Sequence, residues 1–191
     1  MITATSASAA ALALVGLLFQ GAGTPARAES EARTLAFDVA IDAKTLKLNN
    51  NDPAAKGNPL SGSTFVVYGK IFPAGTIPSG VTSFDPNGPG SIGTWICRGV
   101  FLADFADIFV TKTAQTTVHT TQLFMFPNDE MMVATEGLEG NVGITTNRVV
   151  LGGTGLFKGL TGESVQENIG VNQSGNGLFD LRFTFSVRPG R

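Results

Sequence analysis

The side chains able to do chemistry in this sequence are few and scattered. Cys97 is the single cysteine and His119 the single histidine. His119 has no second imidazole with which to share a metal and no clear carboxylate neighbour to tune it as a base. No Ser-His-Asp or Cys-His combination stands at a motif spacing, so hydrolase chemistry has no support. One cysteine rules out an intrachain disulfide and the thiolate-rich zinc sites, and neither metal nor cofactor is expected. Five glycines, Gly152, Gly153, Gly155, Gly159 and Gly162, crowd the stretch VVLGGTGLFKGLTG from Val149. Gly153-Thr154-Gly155 would need a third glycine at Lys158 for a dinucleotide loop, no helix pattern follows, and no Gly-Lys-Ser/Thr occurs. The cluster is therefore read as a tight corner between two strands, where glycine allows positive φ and close backbone approach.

The remaining candidates sit in apolar, period-2 stretches. Asp38 alternates with Phe37 and Val39, a setting in which a carboxylate usually faces solvent or a salt bridge. Cys97 between Ile96 and Arg98 is most simply a small buried hydrophobe. Arg98 interrupts an otherwise apolar run and calls for a partner, with Glu136, Glu163 or Asp180 as the candidates. Glu163 and Glu167 share one face of a strand and read as a solvated surface.

The elements that must position these residues are strands. Segments 34–42, 64–72, 92–103, 117–126, 131–137, 147–151, 162–169 and 178–188 carry alternating or continuous apolar runs rich in β-branched and aromatic residues. A helix through the alanines and lysines up to Leu48 is the second reading of the first segment. Segment 73–91 holds Pro73, Pro78, Pro86 and Pro89 and exceeds the ~12–15 residues beyond which loops are usually functional, so it reads as a lid. Eight strands without helices to cover an open sheet solve the edge problem by closing into an antiparallel β-barrel. A barrel of that size is either filled by side chains or holds one small ligand.

Composition narrows the partners. Thirteen Lys+Arg against fifteen Asp+Glu give a formal net charge of −2, which is no field for nucleic acid or anionic lipid. The apolar run Ala9–Phe19 followed by Ala26-Arg27-Ala28 reads as a secretory signal peptide over residues 1–28, without Lys or Arg in its n-region. Residues 29–191 then form one secreted or periplasmic domain. An outer-membrane barrel would carry girdles of Tyr and Trp; one of each is present, and no membrane insertion is expected.

The run Asn147–Gly162 with GGTGLFKG, followed by the terminal FDLRFTFSV, resembles the glycine signature of allene oxide cyclases and dirigent proteins, including secreted bacterial members of the allene oxide cyclase barrel-like group. Gly93–Gly99 (GTWICRG), Thr121–Phe124 (TQLF) and Thr135-Glu136-Gly137 extend the resemblance over most of Ile92–Val187. It implies an eight-stranded antiparallel barrel, commonly a homotrimer, whose apolar lumen binds a small hydrophobic molecule and steers a cyclisation or coupling. By the same resemblance Cys97 matches a cysteine of the cyclase cavity. Asp38 falls where those enzymes place a glutamate, and their asparagine two residues further is replaced by Ala40. Trp95 and Phe101 would line the cavity beside Cys97, and Arg98 lies near an arginine of the dirigent pattern. A carrier or a structural barrel with a filled lumen are the competing readings.

Overall fold

The computed structural model describes residues 32–52, 58–111, 116–127, 131–140, 143–174 and 179–189. Eight strands run β1 Arg33–Asn49, β2 Thr64–Pro73, β3 Gly93–Phe101, β4 Thr116–Met125, β5 Met132–Gly140, β6 Thr145–Gly153, β7 Leu160–Val171 and β8 Phe179–Pro189. Each pairs antiparallel with the next, and β1 pairs with β8 to close the barrel. Among the described residues the helical pieces are single turns at Ala106–Val110 and Gly155–Phe157. Every strand expected from the sequence is present, and β1 continues through the alanine- and lysine-containing stretch as strand. The signal-peptide reading falls on residues 1–28, outside the described residues.

Closure makes one face of every strand a lumen. Leu35, Phe37, Val39 and Ile41 of β1 meet Leu181, Phe183, Phe185 and Val187 of β8 there. The end at which β1 begins is packed by aromatic rings. Phe126 lies 5.1 Å from Phe37 and 5.3 Å from Phe157, and Phe124 lies 4.8 Å from Phe183 in an edge-to-face arrangement. Phe157 comes from the glycine corner, which folds across this end. A Cβ on Gly153 would meet Phe157 Cβ at 2.6 Å, and one on Gly162, whose φ is +143°, would strike the Ser186 carbonyl. Only glycine lets the corner fold this tightly.

The strand faces pointing away from the lumen are mostly exposed, with one exception. Segment 73–91 lies as a strap on the outside of β1, β2 and β7. There Ala40, Phe72, Ile77 and Ile169, with Phe84, form a second small apolar cluster. Gly80 N–H donates to the Ile169 carbonyl at 2.7 Å, and Phe84 stands edge-on to Phe72 at 5.2 Å. The lid expected from the sequence is thus a strap on the barrel wall.

Candidate functional site

Opposite the phenylalanine-packed end, the lumen turns polar. The register places Val118, Thr120, Gln122 and Phe124 of β4 directly across from Glu139, Gly137, Thr135 and Val133 of β5, all on the inner face. Gly137 in turn faces Arg148 of β6, and Arg148 faces Ser164 of β7. A Cβ on Gly137 would lie 3.1 Å from Arg148 Cγ. The missing side chain at 137 therefore makes room for the guanidinium to run inward.

Glu139 Oε1 is the hub of this layer. It accepts from Thr120 Oγ1 at 2.6 Å and Gln122 Nε2 at 2.6 Å, more weakly from Cys97 Sγ at 3.7 Å, and stands 3.6 Å from Arg148 Nη1. Gln122 Nε2 also donates to Gln166 Oε1 at 2.9 Å, tying β4 to β7 across the lumen. Arg148 spends its other donors on Thr135 Oγ1 at 3.2 Å and the Thr120 carbonyl at 2.9 Å. The arginine side chain is fully buried and that of Glu139 is 14% exposed. Burial lowers the Arg148 pKa from its usual value, and the neighbouring Glu139 opposes that shift. Four buried polar atoms in and beside this layer have no hydrogen-bond partner: Trp95 Nε1, Gln122 Oε1, Arg148 Nη1 and Ser164 Oγ. Such atoms each cost about 1–3 kcal/mol when left unsatisfied.

The residues singled out from sequence separate into two groups. Cys97 and Trp95 are buried inside the lumen, and Phe101 follows on the same strand face, its ring 5.3 Å from Phe65. Burial first, and Glu139 second, push the Cys97 thiol well above its usual range, so it stands in the site as a neutral S–H and not a thiolate. Asp38 and Arg98 lie elsewhere. Asp38 alternates with the lumen residues Phe37 and Val39 and pairs on the outer face with Arg182. Its carboxylate accepts from Arg182 Nε at 2.7 Å and Nη2 at 3.1 Å and from the Ile77 N–H at 3.0 Å, and Arg182 Nη2 donates to the Ile77 carbonyl at 3.1 Å. Asp38 is the clasp of the strap, on the other side of the wall from Cys97. Arg98 is exposed on the outer face of β3, between Val66 and Thr121. Of its three proposed acids, Glu136 stands 3.2 Å from His119 Nε2 on the outer surface, Asp180 accepts from Asn172 at 2.9 Å, and Glu163 is exposed. His119 does have a carboxylate neighbour, contrary to the sequence reading.

Sequence reasoning missed Arg148 and Glu139. Alternation by itself would turn Val149 and Leu151 inward, yet both are 53% exposed and Arg148 is buried. Glu139 lies beyond residue 137, where the sequence pattern ended β5. The legible signal was the pairing of a glycine, Gly137, with an arginine on the neighbouring strand, which only a strand alignment reveals.

A closed eight-stranded antiparallel barrel with a buried ion pair in its lumen defines the class of the molecule. No protein-family model matches the chain, and no curated protein sequence does. Solved structures share the fold. The pterocarpan synthase dirigent protein PsPTS1 is 11% identical with a TM-score of 0.60, covering 86% of this chain and 99% of its own. Its counterpart GePTS1 is 10% identical with a TM-score of 0.58, covering 91% and 99%. Pyocyanin demethylase is 13% identical with a TM-score of 0.51, covering 81% and 99%. The chain shares the closed-barrel fold of these three proteins.

Proposed function

We propose that this protein binds a small hydrophobic molecule in its lumen, with the molecule's polar group at the Glu139–Arg148 layer, and steers an isomerising cyclisation there. The observation that carries the reading is a buried cation with partnerless polar atoms around it at one end of the lumen. A side-chain-filled lumen without a ligand would more simply be apolar throughout, since buried ion pairs seldom add stability. Confinement between aromatic rings would fix the reacting geometry, and preorganised N–H donors would stabilise charge as it develops. Cys97, Trp95 and Phe101 line the site in this reading; Asp38 and Arg98 do not enter it. The neighbours named synthase and demethylase support catalysis in a barrel of this shape.

Incubation with a fatty-acid epoxide and a conjugated polyene, followed by native mass spectrometry and product analysis, tests the proposal. Bound ligand and turnover are expected, and absence of both sinks it. Glu139→Gln separates the enzyme from its alternative: turnover lost with binding kept marks an enzyme, while binding without turnover in the parent protein marks a carrier. The carrier reading draws on the three donors, Thr120, Gln122 and Cys97, already converging on Glu139 Oε1, which occupy the lone pairs that oxygen would need for proton abstraction.

Two further expectations belong to the same reading. Export with cleavage after Ala28 predicts a secreted product beginning at Glu29. A homotrimer would use the exposed apolar residues Leu138, Val149, Leu151 and Val165 on the outer face of β5, β6 and β7. Sedimentation of Val149→Asp/Leu151→Asp against the parent protein checks the assembly; a monomeric parent removes it.

A further inference from the structure

The partnerless atoms of the lumen form a chemical inventory. Trp95 Nε1 and Arg148 Nη1 are donors only, Ser164 Oγ donates or accepts, and Gln122 Oε1 accepts only. Arg148 is directly across from Ser164, and Gln122 is directly across from Cys97, whereas Trp95 stands across from Phe124, toward the apolar end. A group reaching Arg148 Nη1 must therefore supply an acceptor lone pair.

Charge decides which acceptor. The layer contains one buried cation, Arg148, and one carboxylate, Glu139, 3.6 Å apart. The Cys97 thiol beside them is buried and uncharged, and the other inward groups, Thr120, Gln122, Thr135, Ser164 and Gln166, are neutral. The layer is balanced. A ligand carboxylate would leave a net buried negative charge, whose desolvation costs several kcal/mol without a second cation to offset it. A carbonyl oxygen adds no charge and has two lone pairs, one for the Arg148 N–H and one for the Ser164 O–H. The rest of the lumen, from Phe124 and Phe183 to Phe157, offers only apolar contact.

Resting on the lumen-binding reading above, we infer that the bound molecule is uncharged and carries a carbonyl-type oxygen, received by the partnerless Arg148 Nη1 and the Ser164 hydroxyl across from it. Its remaining body is hydrocarbon or aromatic.

The intact protein tests this without any substitution, because Trp95 is the only tryptophan and its buried indole reports occupancy of the lumen. Methyl nonyl ketone, undecanoic acid and undecane are titrated at pH 7, following tryptophan fluorescence and the arginine side-chain proton–nitrogen NMR resonances. The ketone is expected to bind about tenfold tighter than the alkane, the equivalent of one hydrogen bond to a charged donor. It is expected to move the Arg148 guanidinium resonance in a way the alkane does not, and to bind at least as tightly as the acid. Tightest binding by the acid, or equal binding of ketone and alkane, overturns the inference and leaves lumen binding standing. Failure of all three to bind removes the lumen reading and this inference with it.

Discussion

Glu139 and Arg148 form a buried ion pair in the lumen, 3.6 Å apart. Removing one partner of a buried pair typically costs about 3–5 kcal/mol because the other is left as an uncompensated charge. Arg148→Met is expected to lower the unfolding free energy by about 3 kcal/mol, with Arg148→Met/Glu139→Gln recovering part of it; chemical denaturation of the set measures the coupling. Cys97 is expected to stay unmodified by thiol reagents at pH 8 in the folded protein and to react on unfolding, because burial keeps the thiol protonated. On the outer face Asp180 behaves in the opposite sense to a stabilising carboxylate. Burial raises its pKa from 3.8 to about 6, the Asn172 hydrogen bond opposes the rise and Asp38 adds to it. An acid whose folded pKa exceeds its unfolded one binds its proton more tightly in the native state, so its contribution is full below about pH 4 and is lost as pH climbs through 6. Asp180→Asn is expected to remove this decline, gaining on the order of 2 kcal/mol at pH 7 and nothing at pH 4, as read from denaturation midpoints across that range.

The strap is the element whose role the sequence concealed. Its proline-rich composition marked it as unusual, but only the Asp38–Arg182 clasp and the Ile77 plug show what it does. Both backbone polar atoms of Ile77 are consumed by that ion pair, and its side chain is fully buried. Asp38→Asn is expected to loosen residues 73–91, seen as faster amide exchange there, at a cost of about 2–3 kcal/mol, while ligand binding in the lumen is unchanged. Loss of lumen binding in that variant would place Asp38 in the site after all. Asp38 read as a cavity residue only through the family resemblance; its alternation with Phe37 and Val39 pointed to a salt bridge, which it makes with Arg182 on the outer face.

The described residues from Ala32 onward form a sheet closed on itself, with its lumen packed by aromatic rings at one end and polar at the other. Phe157→Ala is expected to destabilise the barrel by about 3–5 kcal/mol and to open the packed end, measured as a lowered thermal midpoint and binding of a hydrophobic dye. The strand count, the antiparallel closure and the glycine corner were all legible in the chain, because they rest on local signals: period-2 alternation, turn residues and glycines that no side chain can replace. Cys97, Trp95 and Phe101 were legible for the same reason, since they share a face with apolar neighbours in β3. What only the tertiary structure decided was which side of the wall each polar residue occupies. Arg98 and Arg148 are both arginines in apolar strands, yet one is exposed and the other fully buried. The difference lies in register: Arg148 sits opposite a glycine on an inward-facing row, and inward rows are set by pairing with strands distant in sequence. No local pattern carries that information, so the scaffold could be read from the sequence and the ion pair in its lumen could not.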